Sequence, residues 1–130
     1  MSETTSTIEK VLRGAALQEL TSNSGGNEVL RTFSYDKYKE RYRLTSINDA
    51  TTHMDVAEGT FDEDGRLIVS NVETDTSWSG FGMTFHNRVA LFDITDDGFK
   101  MEYEVSIDGG QNWFLAGKAT YLRATEQASN

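Results

Sequence analysis

The stretch Phe99-Lys100-Met101-Glu102-Tyr103-Glu104-Val105-Ser106-Ile107 decides how the chain is read. Phe99, Met101, Tyr103, Val105 and Ile107 fall on one side, and Lys100, Glu102, Glu104 and Ser106 on the other. A period of two places successive side chains on opposite faces, so this is a strand with one buried and one wet face. The pairs Asp97-Gly98 and Asp108-Gly109 bracket it, and Asp64-Gly65 stands earlier in the chain. Asp-Gly takes the positive φ of tight turns with little strain, so each pair reads as a hairpin. With no proline in the sequence, glycine and aspartate carry the punctuation.

The same period recurs on both sides of this strand. Phe81, Met83, Phe85, Val89 and Leu91 form a row, with His86 and Arg88 opposite. Trp113, Leu115, Gly117, Ala119 and Tyr121 form another. Met54 and Val56 open a row that ends at Thr60, and Tyr38, Tyr42 and Leu44 share a face of Tyr38–Ile47. Val29, Phe33 and Tyr35 alternate with Leu30, Thr32 and Ser34, while Leu67-Ile68-Val69 opens the strand after the first Asp-Gly turn. Ser22–Asn27 and Asp75–Gly80 read as loops. Ile8–Leu20 is ambiguous: its apolar spacing fits a helical stripe, but Gly14 would cost about 1 kcal/mol inside a helix. The other reading is two strands, Ile8–Leu12 and Ala15–Thr21, pivoting about Gly14.

About nine closely spaced strands joined by tight turns suggest an antiparallel meander. A long meander tends to close, because closure removes exposed edges. The expected fold is therefore all-β: an up-and-down, calycin-like barrel or a strongly bent sheet. The chain has 130 residues and a mass of 14.5 kDa, a single domain over 1–130 with flexible ends at 1–7 and 125–130.

Composition narrows function by exclusion. Twelve Lys and Arg against 21 Asp and Glu give a formal charge of −9 and a pI near 4.6, the wrong sign for nucleic acid or an anionic membrane. The absence of cysteine excludes disulfides, thiolate nucleophiles and thiolate metal sites. No apolar run approaches the roughly 20 residues of a helical membrane span. MSETTST lacks the basic and apolar regions of a signal peptide, so the expected location is cytoplasmic.

Several pieces in order resemble a known family. FSYDKYKERYRLTSIND, MDVAEGTFDEDGRL and MEYEVSIDGGQNWFLAGKATYLR are similar to a bacterial family of uncharacterised, lipocalin-like barrels, the domain of unknown function 1579. That family shows "G(Y/F)D…Y…W.DS", then "EGTFDEDG", and closes on "TYTR". The matching residues are Tyr35-Asp36, Tyr42, Asn48-Asp49, Glu58 to Gly65 and Thr120 to Arg123, and VLRGAALQEL is similar to its "vLdGrfL.E" strands. The resemblance spans roughly Val11 to Arg123 and favours strands over a helix for Ile8–Leu20. It implies a fold and no agreed activity. Family members carry two further strands before this point, so an early edge is expected to be left open or covered by a second copy.

Candidate chemistry is sparse. His53 and His86 fall opposite the apolar rows and read as solvated surface groups. Asp62-Glu63-Asp64-Gly65 begins like a calcium loop, but Arg66 stands where a ligand is needed, so it and Asp93, Asp96 and Asp97 read as acidic turns. Ser106–Trp113 matches most of an Asp-box hairpin, with Asn112 in place of the usual Thr. Lys37, Lys39, Arg41 and Arg43 read as a cationic face protecting an edge. No catalytic residue, metal ligand or cofactor is assigned.

What remains are polar groups interrupting apolar rows: Arg31 between Val29 and Phe33, Glu58 after Val56, and Asn87 between Phe85 and Val89. With Tyr42, Met83 and Trp113 they make a tentative ligand-binding set facing the interior. Buried charges are costly unless paired, so such groups either partner one another or surround a cavity. A β-bulge would reverse the phase and remove some of them. Two functions follow: binding of a small, largely apolar molecule, with a carboxylate facing Arg31, or a ligand-free structural protein forming a homodimer through its sheet edges. An acid/base Glu58 is a third reading.

Overall fold

The computed structural model describes residues 6–22 and 26–122. Ten strands follow one another: β1 (Thr7–Val11), β2 (Ala16–Ser22), β3 (Glu28–Asp36), β4 (Arg41–Asn48), β5 (Asp55–Phe61), β6 (Leu67–Ser70), β7 (Trp78–Gly80), β8 (Met83–Thr95), β9 (Gly98–Ser106) and β10 (Phe114–Leu122). All but β7 lie on one path, β1-β2-β3-β4-β5-β6-β8-β9-β10, with every neighbour antiparallel. The nine-strand path curls strongly into a half-barrel. Among the described residues β1 pairs only with β2, and β10 only with β9.

Ile8–Leu20 is two strands joined by a 3-10 turn, Leu12–Gly14. The three residues have φ of 53°, 58° and 87°, and Ala15 N donates to Leu12 O at 3.2 Å. Gly14 takes this left-handed conformation without a Cβ penalty, which is why the pivot falls there. Asp64-Gly65 and Asp108-Gly109 lie between paired strands with positive φ at the glycine, whereas at Asp97-Gly98 the glycine already opens β9 and is paired with Thr95. Part of the Ser22–Asn27 loop, and the 1–5 and 123–130 ends, lie outside the described residues; β1 already begins at Thr7. The Asp75–Gly80 loop is corrected in its last three residues: Trp78–Gly80 pairs with Met83–Phe85, and the Trp78 and Phe85 rings stack at 4.2 Å. No helix among the described residues is long and apolar enough to cross a membrane.

Directly paired residues share a face, so the registers give the interior without ambiguity. Leu17, Phe33, Leu44 and Ala57 are paired in series, as are Leu67, Leu91 and Met101. Leu44, Ala57, Leu67, Val69, Val89 and Leu91 form the buried core, with Phe33, Tyr42, Phe99, Met101 and Tyr103 packed on it. This is the concave face. The Phe99 row read from sequence is on it, through Val105.

Two rows change face. In β5 the inward residues are Asp55, Ala57 and Gly59, so the Val56 row looks outward. In β10 the register shifts between Leu115 and Gly117. Gly117, Ala119 and Tyr121 face inward, whereas Leu115 pairs with Glu104 on the convex side. Gly59 marks the closest strand approach: a Cβ there would stand 1.7 Å from the Ile68 carbonyl oxygen. A Cβ on Gly117 would meet nothing within 4 Å. Gly59→Ala should therefore cost about 1–3 kcal/mol, and Gly117→Ala no more than about 0.5 kcal/mol. Equal thermal midpoints for the two variants would contradict this packing.

Candidate functional site

The concave face is divided along its length. One part is apolar, where Leu17, Phe33, Tyr42, Leu44, Leu67 and Phe99 help wall a cavity of about 320 Å³ that also reaches Ile8, Val69 and Leu91. Tyr35 and Phe61 pack on Tyr42, with centroids 4.8 and 5.4 Å away, and fix its ring. The adjoining row begins at Ile8 and is otherwise polar: Ile8, Glu19, Arg31, Ser46 and Asp55 are paired in series across β1 to β5.

Glu19 is the most deeply buried charge in this row, at 2% exposure. Arg31 Nη1 donates to Glu19 Oε1 at 3.0 Å. Glu19 Oε2 is buried and accepts no hydrogen bond. Tyr121, stacked on Phe99 at 4.5 Å, lies beside the same carboxylate. Burial first, and then the Glu19 charge, push the Tyr121 phenol up to about 12, against the pull of Arg31. Tyr103 is raised in the same way by burial and then by Asp55. The Tyr121 phenol on β10 thus lies beside Glu19 on β2, and both phenols feel Arg31 on β3, so the last strands face the early ones across the interior.

Asp55 belongs to a second, fully bonded cluster. Its Oδ1 accepts from Asn71 Nδ2 (2.8 Å) and Thr76 Oγ1 (2.9 Å), and its Oδ2 from Asn87 Nδ2 (3.0 Å). Asn87 N donates to Asn71 Oδ1 at 2.7 Å, and Asn71 N to Asn87 O at 3.1 Å. Asn71 is entirely buried. Val56 N donates to Thr76 Oγ1, and Thr74 Oγ1 to Val56 O, which ties the segment after β6 onto β5. A half-buried carboxylate with three donors is satisfied, and this cluster pins one end of the half-barrel.

A family model described as a protein of unknown function (DUF1579) matches residues 2–123. The chain belongs to this family. No curated protein matches it. In this DUF1579 chain the residues expected to face the interior separate into groups. Arg31, Tyr42 and Asn87 are on the concave face: Arg31 on Glu19, Tyr42 in the cavity wall, Asn87 in the Asp55 cluster.

The expected inward orientation of Glu58 and Trp113 is corrected. Glu58 pairs with Arg43 on the convex side, where Arg43 Nε donates to it at 2.6 Å and Lys39 Nζ stands 3.7 Å away. The phase misleads because Val56 is apolar and yet faces outward. Trp113 lies under the Arg88 guanidinium at 4.5 Å, and Arg88 in turn pairs with Glu104 at 2.8 Å. The bulge in β10 separates Trp113 from the inward row. Met83 is exposed at the start of β8, opposite Gly80, and takes no part in the Glu19–Arg31 pair or the Asp55 cluster.

Other sequence readings resolve more simply. The Ser106–Trp113 hairpin is as expected: Asp108 Oδ1 accepts from Ser106 Oγ and from the Gln111 and Asn112 amides, and Oδ2 from Asn112 Nδ2. Those donors, the Ser106 hydroxyl foremost, hold the Asp108 carboxyl down at about 2. Asp62 Oδ1 caps its turn by accepting from the Asp64 and Arg66 amides. The cationic face does not protect an edge, because β4 lies between β3 and β5; its charges are paired instead, with Arg41 on Glu73 and Arg43 on Asp36 and Glu58. The histidines are not simply solvated: His53 Nε2 is 2.8 Å from Thr76 O, and His86 Nδ1 is buried without a partner.

Sequence reasoning misses Glu19 and Asp55. Glu19 lies in phase between Leu17 and Thr21, so the test that finds Arg31 also applies to it. Asp55 is hidden by the apolar residues on either side.

The interior phenol gives a pH expectation. Tyr121 has its folded pKa raised from 10.0 to about 12, so it contributes stability below pH 10 that is lost as the pH rises through 12. Chemical denaturation from pH 9 to 12 should show a steeper decline for the parent chain than for Tyr121→Phe, which keeps the ring stack. Identical slopes would mean that the phenol is not enclosed.

Proposed function

We propose that this chain is a non-catalytic binding module whose concave face holds a small, largely apolar molecule. The observation that carries the reading is the cavity of about 320 Å³, walled by Leu17, Phe33, Leu44, Leu67 and Phe99. Ligand sites are usually preformed concavities of roughly 300–1,000 Å³ with apolar walls and a few convergent polar groups. Here the polar groups are the Glu19–Arg31 pair in the adjoining row, with Tyr42 in the wall. Glu58, the acid/base candidate, is engaged by Arg43 and Lys39 on the opposite face, which favours binding over catalysis. The same reading takes the setting to be cytoplasmic, with which a chain that forms no disulfide is compatible.

A homodimer is a second reading, compatible with the first. It is supported by the two edges, β1 and β10, that have no second neighbour among the described residues. Exposed Phe114, Leu115 and Leu122 lie along β10. A two-fold axis would pair β10 with its copy antiparallel, the geometry every other strand pair already uses.

One experiment addresses both readings. Native mass spectrometry of the protein as purified should show an added small-molecule mass that organic extraction removes. Leu17→Trp, which fills the cavity from a 40% exposed position, should abolish both that mass and the binding of a neutral naphthylamine probe. Probe binding unchanged in the variant would place the ligand elsewhere. A mass of 14.5 kDa at every protein concentration would remove the dimer reading.

A further inference from the structure

Resting on the cavity reading, we infer that the molecule it holds carries a hydrogen-bond-donating head, a hydroxyl or an ammonium, directed at the unpartnered oxygen of Glu19. Three observations lead to this chemistry. Glu19 is 2% exposed, and its Oε2 is buried without a hydrogen bond. An ionised carboxylate offers about four acceptor positions, and the donor bonded to Glu19 is Arg31 Nη1, on Oε1. The Tyr121 phenol also engages the Glu19 carboxylate, which helps to raise its own pKa, but it does not close on Oε2 as a partner. Buried polar groups are otherwise satisfied in folded proteins, so an orphaned buried carboxylate oxygen needs a reason. The orphan stands in the row beside the cavity: Ile8, which lines it, is paired with Glu19, and Leu17 and Phe33, which also line it, lie two residues from Glu19 and Arg31 along the same strands and face, with Glu19 and Arg31 themselves just outside the wall.

The alternative head, a carboxylate on Arg31, fits less well. Arg31 is already committed to Glu19. An incoming carboxylate would either share the guanidinium beside a second negative charge or displace Glu19 and leave it buried and unpaired, which is the costly outcome for a desolvated ion. A donor satisfies Oε2 and leaves the pair intact. The chain's net charge of −9 also favours a neutral or cationic molecule in the approach to the cavity. Lys10 shares the concave face at its rim, paired with Leu17, but is exposed and so offers a carboxylate only a screened contact.

The test compares three molecules with one tail: 1-octanol, octylammonium and octanoate, titrated into isotopically labelled protein at pH 7 and followed by amide chemical shifts. The expected result is binding of the alcohol and the ammonium at least tenfold tighter than octanoate, with the largest shifts at Leu17, Glu19, Arg31 and Phe33. Glu19→Gln, which keeps the side-chain shape, should bring octylammonium and octanoate to similar affinities. The three-way comparison on the unaltered chain stands even if that variant does not fold. Octanoate binding as tightly as the other two would overturn the head-group assignment and leave the cavity reading in place. No binding of any of the three, or shifts confined to other surfaces, would overturn the cavity reading and this inference with it.

Discussion

The interior of this protein depends on side chains that bridge an open sheet: among the described residues the edge strands β1 and β10 each pair with one neighbour and not with each other. Nine strands in series, each antiparallel to the next, leave β1 and β10 running in the same direction. Closing the ladder within one chain would therefore require a parallel pair in a sheet that is otherwise antiparallel throughout. The backbone stays open, and side chains enclose the interior instead. Tyr121, stacked on Phe99, reaches from the last strand to the row that carries Glu19 and Arg31. That arrangement buries a charge on β2 that an isolated sheet would expose.

An internal ion pair of this kind is a weak reason for stability. Desolvation offsets much of the attraction between the charges, and replacing such a pair with well-packed apolar residues is often neutral or stabilising. The apolar core of Leu44, Ala57, Leu67, Val69, Val89 and Leu91 supplies the burial that holds the sheet together. The Asp55–Asn71–Asn87 cluster differs from the pair in being saturated with donors, which suits a structural staple. Glu19, by contrast, keeps one buried oxygen without a partner. The convex face shows the complementary solution, with Arg43–Glu58 and Arg88–Glu104 paired across strands and Trp113 beneath Arg88.

The strand meander was legible because period-two alternation and Asp-Gly turns are local signals, readable within a few residues. Even the ambiguous Ile8–Leu20 segment followed from Gly14 once a helix was set against a pivot. The site was legible only in part. Arg31, Tyr42 and Asn87 stood out as polar or amphipathic residues in correctly phased rows. Glu58 and Trp113 failed on phase: an outward Val56 and a bulge between Leu115 and Gly117 each move a row to the other face without a local sequence mark. The partners were harder still. Glu19 meets Arg31 only through the β2–β3 register, and meets Tyr121 only because the whole sheet curls.

An interior enclosed by side chains over an open backbone ladder can be measured directly with an isotope-edited nuclear Overhauser spectrum. It should contain cross-peaks between the Tyr121 ring and the Glu19 methylenes, and none between the backbone protons of β1 and β10. A continuous backbone cross-peak ladder joining β1 to β10, or a Tyr121 ring without contact to β2, would contradict it.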